Sequence, residues 1–326
     1  MRIVEVSILR MIMMLLVIVF HSCVLFYRGY PIDNQFVHVD FYARLCRTLH
    51  SINMPMFITL SGISYGYVKY KVKKYSSWRE FFEKKIRRLF VPFCIWVIIT
   101  SLVIYKKVQF HEIFHMWFLL MLMWCFVFIV FLHQLLQKCS LSKNLLAFSA
   151  IFIGYFLLDY FNCRPSFFCL NEALMYFPFF YLGVIWERFS VRELLHSMNR
   201  NYFLGLTLIL MILVYAFTFS DPFVIYGHLA RLFGAFLTLS VLHYLPRRII
   251  PKEEMPKWIR FFEENGMGIY ILHQIIIIRI LVEPNFASFV NEHIVVGPIL
   301  LFAFSLLSSL TISWLINKTP CKFVFG

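Results

Sequence analysis

Charge is scarce in this sequence, and acidic charge most of all. Asp and Glu number 17 among 326 residues, and all charged types together make up only 15%. An average soluble chain carries about 25% charged residues, so a water-soluble globular protein of this length is excluded. Other absences narrow the class further. No stretch between the apolar segments is long enough for a separate soluble domain, and no internal repeat marks an inverted-repeat transporter. Arg2 precedes the first apolar run, but no small-residue cleavage site follows, so that run is expected to stay as a helix. The eight cysteines contain no CxxC, and Cys23, Cys94 and Cys125 fall in apolar runs where thiols act as small hydrophobes. Cys163 and Cys169 share one short loop and can pair only if it faces an oxidising compartment. No metal site is expected.

What the chain has is apolar length. Hydrophobic residues make up 61% of it, with 39 Phe. Windows of spanning length fall at 8–27, 51–68, 90–105, 115–136, 144–160, 171–187, 202–219, 226–244, 266–283 and 297–316. The pattern predicts an all-α, polytopic membrane protein of about ten transmembrane helices, with residues 1–326 forming one membrane domain. Its net charge of +14 has a simpler explanation than nucleic-acid binding. Cations crowd one set of loops: nine between Lys69 and Arg88, five between Arg247 and Arg260, and Arg188, Arg192 and Arg200. The opposite loops hold only Arg28, Arg44, Arg47, Lys106, Lys107 and Arg164. The positive-inside rule then makes both termini cytoplasmic, in a multi-pass protein of the cell's inner membrane.

Two residues in the first segment, ILRMIMMLLVIVFHSCVLFY, do not belong in lipid: Arg10 and His21. A charged side chain on a spanning helix costs about 2.5–3.5 kcal/mol, so both are functional candidates by default. Eleven residues at about 100° each come within about 20° of three full turns, so both side chains leave one face of the helix. They are separated by about 16 Å along it. The bland alternative is a snorkelling Arg and a His bonded to a neighbouring backbone.

Further motifs follow in order. MPMFITLSG in the second segment, with Asn53 before it and Ser61 within it, combines a proline with glycines that permit close helix approach. FFEKKIRRLFVPF leads into the third and carries Lys85, Arg87 and Arg88, which suit either anionic lipid headgroups or bound phosphates. HMWFLLML opens the fourth with Trp117 at aromatic-belt height. FPFFYLGVIWE reads mainly as lipid-facing aromatic filler with one packing glycine, Gly183. GMGIYILHQIII sets Tyr270, His273 and Gln274 on one crowded face. Acidic residues at Glu5, Asp159, Glu172, Glu187 and Glu283 all fall at segment ends.

Arg-(ten residues)-His in the first segment, Pro-x-Phe…Ser-Gly, basic residues before a proline, Trp-Phe-Leu and Tyr-x-x-His together resemble the signature of membrane-bound acyltransferase family 3, whose members are mostly bacterial O-acetyltransferases of surface carbohydrate. The matches run in order from Arg10 to His273. The chain departs from the pattern at Asn53, where many members carry His, and at Lys84 and Lys85 before Arg87 and Arg88, where the family often begins Arg-x-x-Arg. The resemblance implies transfer of an acyl group, usually acetyl, from cytoplasmic acetyl-CoA to a hydroxyl of a cell-surface carbohydrate or lipid-linked sugar.

On that reading His21 and Arg10 are catalytic. Arg10, Lys85, Arg87 and Arg88 bind the donor, and Asn53, Ser61, Trp117, Tyr270 and His273 bind the acceptor. Imidazole can act there as general base or as transient acyl carrier, and the sequence leaves both routes open. Membrane lipid is a further partner. Some relatives use a separate extracytoplasmic domain, so a partner polypeptide on that side is the alternative to the chain working alone. The rival class is a multi-pass exporter of a lipid-linked sugar or small solute, coupled through Arg10, His21 and His273.

Overall fold

The computed structural model describes residues 2–28, 36–74, 77–105, 114–219 and 224–326. Among the described residues, ten long helices carry the ten apolar windows: α1 Val4–Cys23, α2 Asp40–Gly66, α3 Val91–Tyr105, α4 Trp117–Leu136, α5 Leu141–Tyr160, α6 Leu170–Arg188, α7 Arg200–Phe219, α8 Val224–Tyr244, α9 Lys257–Leu281 and α10 Val296–Asn317. The protein is an all-α, polytopic membrane protein. Among the described residues, seven helices are long and apolar enough to cross a membrane. The count is eight if α9 and the helix Pro284–Glu292, bent by 95° at the break between them, form one span. The two remaining long helices, α2 and α6, carry Asp40, Arg44, Arg47 and Asn53, and Asn171, Glu172, Glu187 and Arg188, respectively. Lys106 and Lys107 lie outside the described residues.

The chain divides into two compact units. The first comprises residues 1–6, 51–85 and 117–250. Its axis is α6, which buries every residue from Tyr176 to Glu187. The aromatic run read from sequence as lipid-facing is therefore interior. Aromatic rings have the same composition whether they meet acyl chains or other helices, and here Phe180 packs edge-on to Phe126 at 5.3 Å between centroids. The approach of α2 to α6 depends on reciprocal glycines. A Cβ at Gly62 would overlap the Phe180 carbonyl, and one at Gly183 would overlap that of Thr59. Pro55 leaves the Ser51 carbonyl without its helical partner, and Gly234 of α8 packs directly on that oxygen. Two-residue strands, β1 Arg2–Ile3 and β2 Ile249–Ile250, pair antiparallel in the same unit. Buried carboxylates there have cationic or imidazole partners: Glu5 with Arg192 at 3.0 Å, Glu187 with Arg247 at 2.9 Å, and Asp159 with Arg164 and His228. Cys163 and Cys169 are separate thiols.

The second unit comprises residues 7–50, 86–116 and 251–326. Its core packs Cys23, Phe26, Tyr42 and Cys46 against Ile277, Ile278, Leu281 and Leu301. Helix α10 meets α9 through serines four residues apart, Ser305, Ser309 and Ser313, all fully buried. Small residues at that spacing let helices approach closely. Ser313 bonds the Asn265 carbonyl at 3.2 Å, and a Cβ at Gly268 would overlap the Ser313 side chain. Helix α9 begins at Lys257, nine residues before the apolar window, so its first turns carry Glu263. Ser7 of α1 donates to Glu263 at 2.6 Å.

Candidate functional site

The second unit gathers three imidazoles. His21 lies near the end of α1, His273 in the middle of α9 and His115 just ahead of α4. Ring centroids are 5.1 Å apart for His21 and His273, 5.1 Å for His115 and His273, and 6.3 Å for His21 and His115. Helices α1 and α9 produce this by running in the same direction. Ser7 meets Glu263 toward their starts, and His21 meets His273 farther along both.

The backbone of α9 sets the chemistry of two of the rings. His273 Nδ1 lies 3.0 Å from the Ile269 carbonyl, the residue one turn earlier. His115 Nε2 lies 2.9 Å from the Ile271 carbonyl. A carbonyl only accepts, so each of these nitrogens carries the proton, and the other nitrogen of a neutral ring presents a lone pair. His273 is fully buried, and its Nε2 meets no hydrogen-bond partner among the described residues. The backbone around it is fixed on both sides. Tyr270 Oη donates to the His115 carbonyl, and Ser305 donates to the His273 carbonyl at 3.3 Å. Gln274, also buried, neighbours His273 in the chain with its Oε1 unpartnered. Among the described residues no three His, Cys, Asp or Glu are placed to hold a metal ion. The arrangement is suited to proton transfer and to binding hydrogen-bond donors.

The other residues singled out from sequence are distributed as follows. Arg10 is on α1, half-buried, 11 residues before His21. Arg87 and Arg88 are exposed in a π-helical turn, Ile86–Phe90, immediately before α3. All three belong to the unit that holds the imidazoles. Asn53, Ser61, Lys85 and Trp117 belong to the first unit. Asn53 is buried with its Oδ1 unpartnered. Ser61 donates to the Phe57 carbonyl at 2.9 Å, one turn back on its own helix. Lys85 Nζ lies 3.8 Å from the Phe126 ring centroid, and Trp117 stacks on Tyr176 at 5.8 Å. The imidazole of His115 and the Ser7–Glu263 contact were not among the expected site residues. The first carries a sequence signal, a histidine opening HMWFL, while the second lies in a charged stretch that no hydropathy window selects.

Residues 3–318 match the family described as an acyltransferase domain, the third acyltransferase family. The chain belongs to that family. No curated protein and no solved structure matches it. Family membership makes this chain a membrane acyltransferase.

Proposed function

We infer that the chain is an O-acyltransferase that moves an acyl group, acetyl in the simplest case, from cytoplasmic acetyl-CoA to a hydroxyl of a cell-surface carbohydrate or lipid-linked sugar. The observation that carries this reading is the imidazole of His21 meeting that of His273, on the helix that bears Arg10 about 16 Å away along its axis. Acetyl-CoA is polyanionic and stays at the aqueous surface. Arg10, Arg87 and Arg88 offer charge-assisted bonds to its phosphates, with Lys85 adding a further cation. A pantetheine arm laid along α1 would bring the thioester toward His21. There the imidazole either takes the proton of the acceptor hydroxyl or holds the acyl group itself.

Asn53, Ser61, Trp117, Tyr270 and His273 are the candidates for acceptor binding. The cation-rich loops support a donor side, with both termini, on the cytoplasmic face of the inner membrane. Family membership favours this reading over export of a lipid-linked sugar. The test is to incubate membranes containing the protein with radiolabelled acetyl-CoA and cell-envelope carbohydrate. Label should enter the carbohydrate as an alkali-labile ester. Label confined to unreacted donor would remove the proposal.

A further inference from the structure

We propose that His273 is the general base that deprotonates the acceptor hydroxyl, which leaves His21 as the acyl carrier. This rests on the acyl-transfer reading of His21 and goes beyond a binding role for His273. The argument begins with an unsatisfied atom. Buried polar groups almost always find a hydrogen-bond partner, and leaving one unmade costs about 1–3 kcal/mol. His273 is fully buried, its Nδ1 proton is held by the Ile269 carbonyl, and its Nε2 lone pair has no partner among the described residues. The missing group must be a donor, and a substrate hydroxyl is one.

The ring cannot escape this role by changing tautomer without giving up the bond to Ile269. The His273 backbone is also held against α10, because Ser305 donates to its carbonyl. Of the other two imidazoles, His115 is likewise bonded to a carbonyl through one nitrogen and unpartnered at the other among the described residues, but it lies farther from His21, 6.3 Å against 5.1 Å for His273. His273 is therefore the ring placed to act on a group attached to His21.

The chemistry balances in two steps. First, a ring nitrogen of His21 bonds to the acyl carbonyl carbon and the carbon–sulfur bond breaks. Its electron pair goes to sulfur, and the thiolate takes the proton from the other His21 nitrogen, leaving a neutral acyl-imidazole and free CoA thiol. Second, the acceptor oxygen bonds to the acyl carbon as its proton passes to Nε2 of His273. The carbon–nitrogen bond breaks with its pair going to His21, and the proton then passes from His273 to His21. Both rings return to their starting state.

The experiment uses the full-length protein in membranes or detergent, with radiolabelled acetyl-CoA and the carbohydrate that accepts label from the wild type. Three proteins are compared: wild type, His273→Gln and His21→Ala. Glutamine offers a neutral side chain of similar reach that accepts hydrogen bonds and takes no proton. His273→Gln should still release CoA in a burst of about one equivalent and retain the label on the protein. Its steady transfer to carbohydrate should fall by roughly 100-fold, with the donor KM little changed. His21→Ala should give neither burst nor product. The burst itself shows that His273→Gln is folded and binds donor. Transfer by His273→Gln at close to the wild-type rate would overturn the base assignment while leaving His21 untouched. Loss of burst and transfer together in His273→Gln would mark a merely structural residue and also overturn it. Normal transfer by His21→Ala would instead remove the underlying reading of the site.

Discussion

Each compact unit buries histidines, and one from each, His228 and His273, are held in opposite ways. In the first unit His228 of α8 places its Nε2 2.8 Å from a carboxylate oxygen of Asp159 on α5. The other oxygen of that carboxylate is engaged by Arg164. In the second unit the partners of His273 and His115 are backbone carbonyls, and the second nitrogen of each ring has no partner among the described residues. A buried imidazole closed by a hydrogen bond to a carboxylate is complete, and removing one partner of such a bond destabilises the fold. A buried imidazole left one donor short is complete only when a ligand arrives. On the proposed mechanism the same residue type at similar burial is structural at His228 and reactive at His273, and the partner decides which.

That contrast can be broken by mutation. The largest effect belongs to His21→Ala, which should abolish acyl transfer while the protein still reaches the membrane. Membrane fractionation and label transfer on the same sample check both halves. Next comes Arg10→Ala, expected to raise the acetyl-CoA concentration needed for half-maximal transfer by about tenfold, the scale of one charge-assisted contact. The acceptor requirement should stay where it was, and an unchanged donor requirement would detach Arg10 from the donor. Gly183→Ala tests the scaffold of the first unit alone, because its new Cβ meets the Thr59 backbone. It should cost about 1–3 kcal/mol, read as an earlier thermal transition in detergent. The smallest change is His228→Gln, which keeps a hydrogen bond to Asp159. It should lower stability by about 1 kcal/mol and leave the transfer rate per folded molecule unaltered. Loss of transfer at full stability in that variant would erase the distinction between the two histidines.

Much of this arrangement could be read before any coordinates. Arg10 and His21 stand out because charge and imidazole are rare in an apolar run, and the helix drawn through them does extend from Val4 to Cys23. Tyr270 and His273 stand out by the same logic. Their convergence with His21 is a long-range fact that no spacing within one segment encodes. His115 was visible in HMWFL but carried no more weight than an aromatic belt would give it. Glu263 escaped notice because hydropathy ends the ninth segment at residue 266, whereas the helix continues back through the charged stretch to Lys257. The reading of carboxylates as confined to segment ends missed it for that reason. Helix α6 reads as lipid-facing but is interior, because apolarity reports transfer from water equally for lipid and for protein surroundings. Its burial is signalled instead by Gly183 and by the polar residues at both of its ends.

The most direct measurement is an experimental structure of the protein with a non-transferable thioether analogue of acetyl-CoA bound. The account predicts the thioether carbon within about 3.5 Å of the His21 imidazole, with the nucleotide phosphates on Arg10, Arg87 and Arg88. An analogue bound with its acyl end away from the three imidazoles, or with His21 turned toward lipid, would contradict it.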